Sequence, residues 1–395
     1  MNRRCSLSCR LHFVCCGHHP AGSAYMGDFQ IFLLISGGLV ALIVGGEFLV
    51  RGATGIAVAA GISSLVIGLT VVAFGTSMPE LVVSLQAAAA GSPGIAVANV
   101  VGSNIFNILF ILGLCGMIAP LAVSSQFVRI DVPLMIFGSL LVYVFAFGGK
   151  ILPWQGLLLL AIIISYTVFI VRRSRQETRA VKAEYDEALS DERAEVKNVP
   201  VWLSGVLVLV GLFILVLGAR WLIEGSVVLA RRFGVSETVI GLTIIAGGTS
   251  LPEVAASVMA TIKGERDIAI GNIVGSCTFN IFSILGIAPL VSGGLPVAQE
   301  MLNVDFPVML IAAIACFPHF VAGLTFNRIE GVLFFISYAG YTTWLVLQAT
   351  GSLMRPDYER VVMTIVLPIL VPVVLLVLWS KYRLSRSAPK KAKSS

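Results

Sequence analysis

The run from Gly68 to Glu80 is written a second time between Gly241 and Glu253, 173 positions later. Nine of its thirteen residues are identical, and three of the other four are apolar in both copies. Each copy sets a small-residue turn, a proline and a carboxylate inside a stretch otherwise fit only for lipid. Unpaired backbone groups and a carboxylate in hydrocarbon each cost several kcal/mol, so the chain must fold to bury both copies in protein or around water. The surroundings are lipid-like: 57 % of residues are hydrophobic and 12 % charged, where a soluble domain carries about 25 %. Eleven apolar segments are long enough to span, near 29–50, 62–90, 94–119, 130–147, 152–171, 201–222, 236–262, 268–294, 304–324, 329–348 and 361–379. No strand alternation competes with them, so the expected fold is an all-α integral membrane protein.

The repeat extends beyond that run. Asn99–Gly113 recurs as Asn272–Gly286 with ten of fifteen positions identical, and Asp131–Val132–Pro133 is echoed by Asp305–Phe306–Pro307. Spans one to five therefore match spans six to ten. Equivalent points are five crossings apart, an odd number, so the second copy runs through the membrane in the opposite sense. This is an inverted-topology repeat, an arrangement of secondary transporters whose sites lie near midplane between the halves. The expected architecture is a ten-helix 5+5 transporter with broken helices two and seven and one extra C-terminal transmembrane helix. The divisions are an N-terminal extension at 1–28, a first repeat at 29–171, a linker at 172–199, a second repeat at 200–348, and an extra helix with a basic tail at 349–395. The linker is expected to be partly helical over Ala183–Val196.

Chemistry follows from the repeated polar positions. Pro79 and Pro252 lack an N–H, which frees the carbonyls of Gly75 and Gly248 and breaks each helix. Glu80 and Glu253 then open a new helical segment, where a carboxylate is favoured. Thr76 and Ser77 share a face with Glu80, as Thr249 and Ser250 do with Glu253. In the following span Asn99, Ser103 and Asn107 form a polar stripe at four-residue spacing, and Asn272, Ser276 and Asn280 form its copy. Two carboxylates with hydroxyl, amide and backbone oxygens, and no His or Met, select hard cations such as Ca²⁺ or Na⁺ over Zn²⁺ or copper. The two glutamates carry −2, which one Ca²⁺, two Na⁺ or two protons would neutralise. Such mutually exclusive occupation is the physical basis of exchange.

Both motifs resemble the two α-repeats of the sodium/calcium exchanger membrane region, in the calcium/cation antiporter superfamily, and most resemble its bacterial inner-membrane members. The likeness runs over roughly Phe29–Leu347, carried by Gly–Thr–Ser–x–Pro–Glu twice with Gly–Ser–x–x–x–Asn downstream. The resemblance implies a central cavity ligated by Glu80 and Glu253, by Thr76, Ser77, Thr249 and Ser250, and by backbone carbonyls at Ala73 and Ala246. It also implies Ser103, Asn107, Ser276 and Asn280 from the next helices, and spans one and six sliding as a gate past an eight-helix core. One branch of the family carries Asp where this chain has Asn280, leaving two carboxylates here rather than three. The implied activity is antiport of Ca²⁺ against Na⁺, with a proton-coupled or K⁺-dependent antiporter as the alternative and no cofactor beyond the transported ions. The spans hold no catalytic Asp pair, His–Glu–x–x–His motif or Ser–His dyad, which argues against an intramembrane hydrolase. A passive cation channel is the third reading.

Charge placement gives the expected orientation. With the loop 172–198 inside, eighteen of the twenty-seven Lys and Arg fall on the inner side, which puts the N-terminus outside and the loop and C-terminus in the cytoplasm of a bacterial inner membrane. The basic tail reads as a topology anchor, not a nucleic-acid site. Glu47–Arg51 and Arg220–Glu224, each four apart, are each placed to close a salt bridge. Cys5, Cys9, Cys15 and Cys16 crowd near His12, His18 and His19 and form no metal pattern. A zinc knuckle there is a lesser alternative to a true start at Met26. Cys115, Cys277 and Cys316 are expected to be packing residues, and His319 a packed or interfacial one.

Overall fold

A computed structural model describes residues 27–185, 200–321, 324–362, 364 and 379. The first apolar run becomes α1 (Asp28–Ala60), which runs ten residues past the C-terminal end that hydropathy alone marks. It runs on because Arg51 to Ala60 holds no proline and keeps Gly52 and Gly55 helical, until Gly61 takes the left-handed conformation at φ 62°, ψ 42° and caps the helix. Then come α2 (Ser64–Thr76) and α3 (Met78–Ala89), bent by 45° at their junction. The bend sits at Ser77, with φ −81° and ψ 7°, and Pro79 opens the second segment. Next are α4 (Gly94–Ile118), α5 (Phe127–Ala146) and α6 (Pro153–Tyr185). The second repeat supplies α7 (Val201–Arg232), α8 (237–248) and α9 (Leu251–Ile262), with the break at Ser250, φ −89°, ψ 8°. It closes with α10 (Arg266–Ser292), α11 (Gln299–Val321) and α12 (Arg328–Ala349), followed by the short α13 (Arg355–Val361). Among the described residues, eight helices are long and apolar enough to cross a membrane, and nine if α2 and α3 count as one bent span. The protein is an all-helical, multi-pass membrane protein.

α4 and α10, the carriers of the Asn–Ser–Asn stripes, lie at the centre. Their most apolar windows are 72 % and 83 % buried, against 6 % for α12. α1 and α7 pack antiparallel along their length through facing glycines. A Cβ on Gly45 would meet the Gly211 carbonyl oxygen at 2.9 Å, and one on Gly218 would meet that of Gly38 at 2.9 Å. Small residues of this kind let helix backbones approach in the absence of a hydrophobic drive. Pairs of equivalent bonds pin the outer helices: Tyr166 donates to Asp131 and Tyr341 to Asp305, each at 2.7 Å.

Several details depart from the sequence expectations. Two-residue strands do occur: β1 (Leu121–Ala122) pairs with β4 (Thr325–Phe326), and β2 (Lys150–Ile151) with β3 (Leu295–Pro296). Both ladders tie a loop of the first repeat to one of the second, pairing too short to leave an alternating pattern. α6 continues without a break from its apolar run through the expected linker start to Tyr185. The remainder of the linker, the N-terminal cysteine cluster and nearly all of the eleventh apolar segment lie outside the described residues. Glu47 pairs with Arg51 as expected and also with Lys263, but no ion pair joins Arg220 to Glu224 among the described residues. Lys263, from the α9–α10 turn, has Ala90 as its counterpart 173 residues earlier, so only Glu47 gains a second cation. Cys115, Cys277 and Cys316 are buried and free. His319 is buried too, its Nδ1 2.8 Å from Glu330 Oε1.

Candidate cation site

Both helix breaks face the central pair α4 and α10. Each is preceded by a wide π-helical turn, at Gly68–Val72 and Gly241–Ile245, and α4 and α10 carry such turns at Phe106–Ile111 and Asn280–Ile284. π-turns recur at functional sites, where the extra residue re-aims side chains. These turns leave no mark in the residue pattern and escaped the sequence reading.

The two breaks are cross-linked. Ser77 Oγ donates to Glu253 Oε1 at 2.9 Å, and Ser250 Oγ donates to Glu80 Oε1 at 2.7 Å. Each repeat therefore holds the other's carboxylate, and Ser250 also lies 3.4 Å from Ser103 Oγ of α4. Asn99 Nδ2 donates to the Glu80 carbonyl at 3.2 Å and to Ser84 Oγ at 3.0 Å. Its copy Asn272 donates to the Glu253 carbonyl at 3.4 Å and to Ser257 Oγ at 2.9 Å. The first member of each stripe thus braces a broken helix. Glu80, Glu253, Thr76, Ser77, Ser103, Asn107, Ser250, Ser276, Asn280 and Ala73 are buried, Thr249 is half-buried and Ala246 is exposed.

What remains unpaired is informative. Among the described residues, ten buried side-chain nitrogen or oxygen atoms lack a hydrogen-bond partner. Seven belong to the expected ligand set: Glu80 Oε2, Glu253 Oε2, Thr249 Oγ1, Ser276 Oγ, Asn280 Oδ1 and both amide atoms of Asn107. Buried polar atoms are normally paired, and such a concentration marks a place built for a polar guest. Among the described residues, no group of three or more His, Cys, Asp or Glu comes together; the donor set is oxygen from two carboxylates, hydroxyls and amides, and it fits a hard cation. A separate cavity of about 410 Å³ against α12, lined by Phe110, Phe335, Tyr338 and Thr342 among others, contains none of these residues.

The two repeats are not in the same conformation. α2 lies against α10: a Cβ on Gly271 would meet the Leu65 carbonyl oxygen at 2.8 Å, and one on Gly275 would meet Ala73 Cβ at 2.7 Å. Thr76 Oγ1 reaches Asn272 Oδ1 at 3.1 Å across the same contact. The equivalent contact of α8 with α4 is open. Among the described residues nothing lies within 4 Å of a Cβ placed on Gly102 or Gly241, and Ala98 and Ala246 are exposed. The α2–α10 contact is thus close-packed, and the equivalent α8–α4 contact is open.

The sequence profile of the "Sodium/calcium exchanger protein" family matches residues 30–172 and again 203–347, one match per repeat. The chain belongs to the sodium/calcium exchanger family. CaxA of Alkalimonas amylolytica, named as an antiporter, is 37 % identical over 318 residues, covering 79 % of this chain and 96 % of its own. The sodium/calcium exchanger MaX1 of Methanosarcina acetivorans is 32 % identical over 342 residues, covering 78 % of this chain and 97 % of its own. A solved structure of the sodium-calcium exchanger NCX_Mj, soaked with zero Na⁺ and Ca²⁺, matches with a TM-score of 0.68 at 28 % identity, over 79 % of this chain and 98 % of that one. The chain is thus similar to exchangers and antiporters over most of both lengths, and its family is one of transporters.

Proposed function

We propose that this protein is an antiporter exchanging Ca²⁺ for Na⁺ by alternating access at one midplane site. The proposed cations are held by Glu80 and Glu253, by Thr76, Ser77, Thr249, Ser250, Ser103, Ser276, Asn107 and Asn280, and by the carbonyls of Ala73 and Ala246. The observation that carries this reading is the reciprocal Ser77–Glu253 and Ser250–Glu80 pairing, with the second oxygen of each carboxylate buried and unpaired. Two carboxylates shared between halves provide the −2 that one Ca²⁺ or two Na⁺ balance. The unequal seals on the two sides support alternating access. If the halves are inverted copies, exchanging their conformations closes the α8 side and opens the α2 side.

The full 5+5 arrangement with broken helices two and seven, plus the extra C-terminal helix and the domain divisions given above, belongs to the same proposal. So does the orientation, with the N-terminus outside and the 172–199 loop and C-terminus in the cytoplasm of a bacterial inner membrane. Contacts between distant loops support that alternation of sides: Leu121 with Phe326, Lys150 with Pro296, Glu47 with Lys263 and Asp28 with Arg232 each join residues that the flip count puts on one side.

The test is Na⁺-gradient-driven ⁴⁵Ca²⁺ uptake into liposomes holding the purified protein. Uptake should require trans Na⁺ and should be lost in Glu80→Gln and in Glu253→Gln. Near-normal uptake in both variants would refute the site. Uptake driven by a pH jump without Na⁺ would assign the same site to Ca²⁺/H⁺ exchange.

A further inference from the structure

Asn104 stands between the two ligand stripes and belongs to neither. It is 1 % exposed, on α4, opposite its own repeat counterpart Cys277 on α10. Its Nδ2 faces the Cys277 carbonyl oxygen at 3.4 Å and Met309 Sδ at 3.8 Å. Both of those atoms can only accept, so the amide nitrogen of Asn104 is committed to that side. Its Oδ1 is thereby turned to Asn280, whose Nδ2 donates to it at 3.3 Å. The chain of donors and acceptors leaves no alternative for Asn280: nitrogen to Asn104, and Oδ1, buried and unpaired, to whatever occupies the site.

We infer that Asn104 is a positioning residue that fixes the amide of Asn280 with its oxygen toward the cation, and so makes a neutral side chain an effective cation ligand. An amide has one end that attracts a cation and one that repels it, and the two are nearly equal in shape. An unheld Asn280 would lose part of its ligand strength to the flipped rotamer. The other repeat lacks the device, because Cys277 occupies the place of Asn104 and both amide atoms of Asn107 are unpaired. The arrangement also explains how a site with Asn at position 280 presents oxygen there without a third carboxylate.

This inference rests on the proposed two-glutamate site, and a double-mutant cycle separates the two. An aspartate at 280 presents oxygen at both ends and needs no orienting partner. The Ca²⁺ concentration giving half-maximal Na⁺-driven uptake is measured for the native protein, Asn104→Ala, Asn280→Asp and the double variant. Asn104→Ala alone should raise it by about fivefold, short of the roughly tenfold or more of losing a charge-assisted ligand outright, because the ligand is disoriented and not removed. In the Asn280→Asp background the same substitution should change it by less than about threefold, because the orienting role has gone. An equal loss in both backgrounds, or no loss in either, overturns the inference. If Asn104→Ala does not fold, Asn104→Leu, close in size and without the accepting oxygen, replaces it in both backgrounds and should show the same contrast; an equal loss in both overturns the inference equally. Failure of the underlying site looks different: Glu80→Gln and Glu253→Gln then retain native uptake, whatever Asn104 does.

Discussion

Asn99 and Asn272 occupy equivalent positions and make equivalent bonds, yet they are not equally placed. Asn272 is fully buried, and its Oδ1 also faces Thr76, while Asn99 is half-buried. Replacing either by Leu leaves a serine hydroxyl and a glutamate carbonyl without the amide. Interhelical hydrogen bonds of this kind contribute about 0.6 kcal/mol on average in a membrane protein and up to about 1.7. Asn272→Leu should therefore lower the thermal unfolding midpoint in detergent clearly more than Asn99→Leu; equal shifts would contradict the asymmetry described here. At this scale the sequence was readable wherever chemistry repeats: Glu80, Glu253 and their serines stand out because polar residues recur in an apolar background. Asn104 did not, since its counterpart is a cysteine and it falls off the four-residue spacing. Asn99 and Asn272 were legible as part of a stripe, but a stripe does not say which members face a cavity and which brace a neighbour.

Among elements, α1 and α7 depend most on residues that are absent. A Cβ on Gly211 would sit 2.6 Å from the Leu49 amide nitrogen and 2.8 Å from the Gly45 carbonyl oxygen, and both are backbone atoms that cannot swing aside. Gly211→Leu should force these helices apart at a cost of about 1–3 kcal/mol. Gly205, with nothing within 4 Å among the described residues, is the control on the same helix. Gly205→Leu should leave the unfolding midpoint near native and Gly211→Leu should lower it by several degrees, as read by thermal scanning in detergent. Hydropathy located these helices and Pro79 and Pro252 located the breaks, because length and a missing N–H are local properties. The π-turns, the two short ladders and the Lys263 link to Glu47 depend on what packs opposite, which no local pattern records.

For the molecule as a whole, the two halves have one sequence plan and two conformations. The close seal of α2 on α10 at Gly275 has its open counterpart at Gly102, where a side chain has room in this state. In the opposite state Gly102 would meet Ala246 as Gly275 now meets Ala73. Gly102→Val should therefore leave folding and equilibrium Ca²⁺ binding near native while reducing exchange turnover at least about tenfold, since overpacking of about 1–3 kcal/mol falls on only one of two interconverting states. Native turnover in Gly102→Val would contradict an exchange of conformations between the repeats. The duplication itself was legible from the 173-residue displacement, and the odd number of crossings implied inversion. Which half is closed was not, because near-identical segments carry no label for the state they adopt.

The central claim is that a single cation is held jointly by two acidic side chains from opposite repeats. Anomalous diffraction from crystals of the protein soaked in Ca²⁺ or Sr²⁺ tests it most directly. The account predicts a principal peak with one carboxylate oxygen of Glu80 and one of Glu253 both within about 2.3–2.6 Å for Ca²⁺. A principal peak that touches only one of these glutamates, or neither, would contradict it.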